Sequence, residues 1–181
     1  MTTKVIDVSI IGAGYMAEEY LKVLSASPKY NMIGIFSRNI KKCENLKKKY
    51  NSLEIFKNIF DMFSFTKSQL CIVACSAEST KSVATEATKY PWTILFEKPI
   101  GLNFYEYEEI STICSNRDSN AYVALNRRYY SSTQNLIRML NKIDSPRYIN
   151  IYDQEDIEKL KLNKKNENVI KNWMYVNSIH L

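Results

Sequence analysis

Val5-Ile6-Asp7-Val8-Ser9-Ile10-Ile11-Gly12-Ala13-Gly14-Tyr15-Met16-Ala17 is the stretch whose reading decides the fold. Val5 to Ile11 is a short run rich in β-branched apolar residues, which reads as a buried strand. Gly12 ends it. Beyond Gly14 the apolar positions Met16, Tyr20, Leu21 and Leu24 change to helical spacing, predicting a helix over Tyr15–Ser25. Strand, glycine turn and helix follow each other without a linker. In that order Gly12 permits a tight turn, Gly14 lets another group approach the backbone closely, and Ala17 is small where helix and strand meet. The unbonded amides of a helix start are suited to a diphosphate. The flanking strand and helix separate this from a chance pair of glycines. Gly12, Ala13, Gly14, Tyr15 and Met16 are therefore expected to hold a dinucleotide.

Outward from this unit the same alternation continues. Strands are predicted at Met32–Phe36, Leu53–Phe56, Leu70–Cys75, Thr93–Phe96 and Ala121–Leu125. Helices are predicted at Asn39–Tyr50, Ile59–Phe65, Ser79–Tyr90 and Asn103–Asn116, with Asn39 as the cap of the first of these. Continuous apolar strands between amphipathic helices argue for a parallel sheet covered on both faces. Right-handed crossovers make that an α/β fold with a doubly wound parallel Rossmann sheet. A boundary is expected near Leu125, giving a Rossmann domain over 1–125 and a second, incomplete α/β domain over 126–181. In the latter a helix is expected around Ser132–Leu140 and a strand around Arg147–Tyr152. The polar stretch Asp153–Asn168 and the apolar Val169–Leu181 follow, and the chain is expected to stop within an element.

Composition narrows the function classes. The chain has 181 residues, of which 45% are apolar, enough for a substantial core. No apolar run approaches the ~18 residues of a membrane span, and Met1–Asp7 lacks a secretory core. The expected location is the cytoplasm, with which four cysteines lacking any CxxC pair agree. The same spacing, with a single histidine, argues against a metal site. A net charge of +6 suggests nucleic acid at first sight. In 39–50, however, the lysines fall between Ile40, Cys43, Leu46 and Tyr50, as on the solvated face of a helix. With no helix-turn-helix or RNA-stacking signature, neither a nucleic acid nor a membrane is expected as partner.

Two further motifs carry chemistry. The second strand ends in Phe36-Ser37-Arg38-Asn39. An acidic residue there would hold the ribose hydroxyls of NAD. A hydroxyl and a guanidinium suit the 2′-phosphate of NADP instead, so NADP is the expected cofactor, with NAD possible as an alternative. The Thr93–Phe96 strand runs into Glu97-Lys98-Pro99. Ligands of such sheets bind beyond the carboxyl ends of the strands, so Lys98 is expected at the crevice, where it would hydrogen-bond a substrate hydroxyl or help move its proton.

Taken together, Gly12–Ala17, Ser37–Arg38 and Glu97-Lys98-Pro99-Ile100-Gly101 resemble the Gfo/Idh/MocA oxidoreductases, named for glucose–fructose oxidoreductase and inositol dehydrogenase. Asn126-Arg127-Arg128-Tyr129 is similar to the segment after that family's last Rossmann strand, and Asn177-Ser178-Ile179-His180-Leu181 to the start of its active-site helix. The resemblance implies reversible hydride transfer between a nicotinamide and a sugar or cyclitol hydroxyl, and the lysine-rich composition suits a bacterial enzyme that modifies sugars for surface polysaccharide. It implies catalytic roles for Lys98 and His180, and cofactor contacts at Ser76, Glu97, Lys98 and Asn126. Two places depart from the family pattern. Ser76-Ala77-Glu78-Ser79-Thr80 replaces a Thr-Pro-Asn-x-x-His loop, and Val176 stands where many members carry an Asp one turn before the histidine. A catalytically inactive, nucleotide-binding regulator of the same fold is the alternative reading. The apolar end of the chain is expected to drive homo-oligomer formation through residues 147–181.

Overall fold

The computed structural model describes residues 4–148, 150, 152, 154, 156–163 and 166–178. Six parallel strands make one sheet. They are β1 (Ile6–Ile11), β2 (Tyr30–Phe36), β3 (Glu54–Phe56), β4 (Leu70–Val73), β5 (Thr93–Phe96) and β6 (Ala121–Val123). Their spatial order is β3-β2-β1-β4-β5-β6. The order reverses between β1 and β4, and a crevice opens beyond the carboxyl ends of the strands at such a switch point.

Helices α1 (Tyr15–Ser25), α2 (Ile40–Lys49), α3 (Ile59–Thr66), α4 (Ala77–Ala87) and α5 (Phe104–Ser115) cover both faces. Side chains alternate along β1, so successive residues enter two different cores. Val8 and Ile10 pack with Ala17 and Leu21 of α1 and Cys43 and Leu46 of α2. Ile11 packs on the other side with Met62 of α3, Ala84 and Ala87 of α4 and Ile110 of α5. Such strands must be apolar throughout, which is why the sequence shows runs rather than alternation. Asn39, Asn58 and Asn103 cap α2, α3 and α5, each accepting a first-turn amide with its side chain. The guanidinium of Arg117 ties the far end of the sheet together, donating to the carbonyls of Thr88, Tyr90 and Trp92 at 2.7–3.0 Å.

Beyond β6 a 3₁₀ turn, Asn126–Tyr129, leads into α6 (Ser131–Leu140), where no residue is buried. Three short helices follow: α7 (Ile157–Leu162), α8 (Glu167–Lys171) and α9 (Trp173–Ser178). They bury Leu160, Val169 and Val176. Helix α7 lies in the stretch read from sequence as merely polar; Asp156 starts it by accepting the Lys159 amide at 3.0 Å. The strand expected around Arg147–Tyr152 is not formed at Arg147, Tyr148, Asn150 or Tyr152. A strand needs a neighbour to take its amides and carbonyls, and β6, the nearest edge in the chain, pairs only with β5 among the described residues.

Candidate functional site

The crevice at the switch point has a volume of about 1110 Å³. Its floor is the turn after β1. Gly12 sits at φ +115°, and a Cβ there would fall 2.2 Å from the Ala74 carbonyl oxygen. Its amide donates to the Phe36 carbonyl at 2.8 Å, so the turn is held between the ends of β2 and β4. Gly14 is different. Its φ of −90° is open to any residue, and a Cβ there would meet nothing within 4 Å. The missing side chain leaves room on the crevice side of the turn, and no atom of the described residues uses that room. Helix α1 begins at this point with no side-chain cap, unlike α2, α3 and α5. Its first-turn amides have no acceptor within the helix. Open space beside unpaired amides at a positive helix end fits a diphosphate.

The wall beside β2 carries Ser37, Arg38, Asn39, Ile40, Lys41 and Lys42. The opposite wall, at the start of α4, carries Cys75, Ser76, Ser79, Ser82 and Val83. Arg38 spans the two: its Nη2 donates to Ser79 Oγ at 2.6 Å, and Ser79 Oγ lies 3.1 Å from Ser76 Oγ. Ser37 Oγ accepts the Asn39 amide at 3.3 Å, shaping the bend into α2. The lining holds three cations, Arg38, Lys41 and Lys42, and no carboxylate among the described residues. Burial is the main cause that pushes the Cys75 thiol above its ordinary range.

This arrangement agrees with what a sequence comparison finds. The family model for the oxidoreductase family with an NAD-binding Rossmann fold, GFO_IDH_MocA, matches residues 6–125. The chain belongs to the Gfo/Idh/MocA oxidoreductase family. No curated protein matches it in a sequence search. Among solved structures it is similar to apo scyllo-inositol dehydrogenase from Lactobacillus casei, at 17% identity and a TM-score of 0.71 over 78% of this chain and 43% of that one. It is similar to myo-inositol dehydrogenase from the same organism, solved with NAD(H) and myo-inositol, at 15% identity and 0.71 over 76% and 42%. The WlbA dehydrogenase from Bordetella pertussis, solved with NADH and UDP-GlcNAcA, gives 13% identity and 0.72 over 78% and 41%. These likenesses establish the shared fold. The chain spans about two-fifths of the length of the solved relatives.

Within this family member the Glu97-Lys98-Pro99 motif lies at the end of β5, outside the lining of the crevice. Glu97 is buried, with Oε1 accepting the Tyr20 hydroxyl at 2.9 Å and Oε2 accepting the Lys98 amide at 3.0 Å. Burial raises its carboxyl above the ordinary range, against the opposing pull of Tyr20 and Lys98. Burial and the neighbouring Glu97 charge in turn raise the Tyr20 phenol. The Lys98–Pro99 peptide is cis. Lys98 Nζ donates to the Val176 carbonyl at 3.3 Å, which brings α9 to the motif. Two buried polar atoms of α9, Trp173 Nε1 and Tyr175 Oη, have no hydrogen-bond partner among the described residues.

Of the residues expected from sequence, the structure gathers Gly12, Ala13, Gly14, Tyr15, Met16, Ser37, Arg38 and Ser76 around one crevice. Glu97, Lys98 and Asn126 are not in its lining; Asn126 opens the 3₁₀ turn after β6. His180 lies outside the described residues. Sequence reading did not single out Lys41, Lys42, Ser79, Ser82 and Val83 for this site. A signal was present: positions 79, 82 and 83 of the predicted helix are spaced i, i+3 and i+4 and so share one face.

Proposed function

We propose that this chain binds NADP in preference to NAD and serves hydride transfer between the nicotinamide and a sugar or cyclitol hydroxyl. The observation that carries the cofactor preference is the lining beside β2, with Arg38, Lys41 and Lys42 and no carboxylate among the described residues. A carboxylate there would accept from ribose hydroxyls and repel a 2′-phosphate, whereas guanidinium and ammonium groups attract one. Tyr15, Met16 and the room beside Gly14 receive the diphosphate. Ser76 lies across the crevice, toward the remainder of the cofactor.

When bound, the nicotinamide supplies or accepts the hydride. The chain's own residues do the rest. Lys98, fixed through the Glu97 anchor, donates to the substrate hydroxyl and helps move its proton. His180 serves as the acid/base group by family resemblance, imidazole being the side chain chemically suited to that role. Residues 126–181 form the start of the substrate domain in this reading, and the exposed apolar groups of that segment support self-association. The four free thiols agree with a cytoplasmic setting. No helix is long and apolar enough to cross a membrane among the described residues.

A second reading is a nucleotide-binding regulator without turnover. Buried Val176 favours it, because an apolar side chain stands four residues before His180 in sequence, where many family members carry an Asp. Reduction of NADP assayed over a panel of sugars and cyclitols tests the enzyme reading. Turnover that depends on Lys98 supports it. Dinucleotide binding with no turnover on any substrate leaves the regulator.

A further inference from the structure

Arg38 and Ser79 come from opposite walls of the crevice, 41 residues apart in sequence. Their contact is short, 2.6 Å, and Ser79 is only 7% exposed. A serine hydroxyl has one proton and two lone pairs. Toward Arg38 it can only accept, since guanidinium carries no lone pair to receive a proton. The Ser79 proton is therefore free for Ser76 Oγ, 3.1 Å away, and Ser76 completes a three-member chain across the crevice. The chain is anchored at its α4 end. Ser79 lies in the first turn of an eleven-residue helix and is buried, so its Oγ is a fixed point.

Arg38 begins differently. It sits at the tip of β2, just before the Asn39 cap of α2, and its side chain has four rotatable bonds. An arginine held only at Cα loses much of its rotamer freedom when it captures a phosphate. Held at Nη2 by Ser79, it has already lost part of that freedom. Of its five N–H groups, four remain for a ligand. Preorganisation of this kind increases affinity for the group the fork receives, and for that group alone.

We propose that Ser79 is a positioning residue for dinucleotide specificity, fixing the Arg38 guanidinium so that the preference for a 2′-phosphate is set jointly by β2 and α4. This rests on the NADP reading above. The probes are 2′,5′-ADP and ADP, which differ in the 2′-phosphate and need no turnover. Each is titrated calorimetrically into the full chain, its Ser79→Ala, Ser79→Cys and Arg38→Ala variants, and the Arg38→Ala/Ser79→Ala double variant, with folding checked by circular dichroism. Ser79→Ala is expected to lower affinity for 2′,5′-ADP roughly five- to tenfold, the scale of one hydrogen bond, with ADP changed less than about twofold. Ser79→Cys, with its weak acceptor, is expected to do the same and stands in if the alanine variant does not fold. In the double variant the Ser79 effect is expected to vanish, because its route through Arg38 is gone.

Equal losses for both probes would mean that Ser79 only shapes the crevice, and would overturn the inference. So would a Ser79 effect that persists without Arg38. If Arg38→Ala itself leaves the ratio of the two affinities unchanged, the NADP reading fails and this inference with it. If Arg38→Ala lowers the ratio and Ser79→Ala does not, only the positioning role fails.

Discussion

Residues 6–125 and 126–178 are both rich in apolar side chains, yet they use them differently. In the first region Val8, Ile10, Leu21, Ile35, Leu53, Met62 and Ile94 are completely buried. In the second, Leu136, Ile137, Met139 and Leu162 are exposed, and α6 buries nothing. The sheet accounts for the difference. Each of its strands has two faces that are covered only when helices pack on both, and the needed helices lie next to the strands in sequence. An amphipathic helix such as α6 holds only half of an interface, and its pattern does not say what completes it.

The largest expected effect lies in the region with the complete core. Gly12→Ala puts a Cβ at φ +115° within 2.2 Å of a backbone oxygen, and neither atom belongs to a flexible side chain. The cost is expected to be about 3 kcal/mol or more, enough to lower the thermal midpoint by many degrees and abolish dinucleotide binding. A stable, binding-competent Gly12→Ala chain would mean that the turn after β1 is not held between β2 and β4 as described. Gly14→Ala, by contrast, meets none of the protein's own atoms and is expected to fold normally while weakening dinucleotide binding.

A smaller effect is expected where α1 meets β5. Tyr20→Phe removes one of the two donors to buried Glu97, at a cost on the order of 1–3 kcal/mol. The sign with pH follows from linkage. Glu97 is raised by burial in the folded chain, so it keeps its proton at a pH where the unfolded chain has already released it. Its contribution to stability is fully present below the unfolded carboxyl value and is lost as pH rises through the folded value. The Tyr20 hydrogen bond favours the charged form, so Tyr20→Phe should raise the Glu97 value further and extend that interval upward. Carboxyl-carbon NMR titration of both chains reads it directly; an unmoved Glu97 would remove Tyr20 from the anchor of Lys98.

The smallest effect belongs to α6. Replacing Leu136 and Met139 together by glutamate is expected to change the unfolding free energy by no more than ~0.5 kcal/mol. It should also lower any self-association seen by light scattering. A large loss of stability would show that α6 is packed after all.

The same contrast governs what could be read from the residues alone. The bounds of α1 and β5 agree with the sequence reading, Tyr15–Ser25 and Thr93–Phe96, because a glycine turn and a proline motif punctuate them. Helix α4 was expected to start at Ser79 but starts at Ala77, since Ser76 in extended conformation opens it without any side-chain cap bond to signal the start. Ser79 and Ser82 lie within the helix on either reading and line the crevice, but a serine in a helix carries no local sign of what its face meets. Glu97 is expected from sequence among the cofactor contacts, yet it is buried against Tyr20, a partner 77 residues away in sequence. Contacts across such distances leave no local pattern. In 126–178 the strand expected near Arg147 rested on local propensity alone, which needs a pairing partner before it makes a strand.

We propose that the crevice of residues 6–125 selects a 2′-phosphate. Titration calorimetry of the full chain with NADP and with NAD tests it most directly. NADP is expected to bind more tightly, and Arg38→Ala is expected to remove roughly 1–3 kcal/mol of NADP affinity while leaving NAD nearly unchanged. NAD binding as tightly as NADP, or an Arg38→Ala chain that still prefers NADP to the same degree, would contradict it.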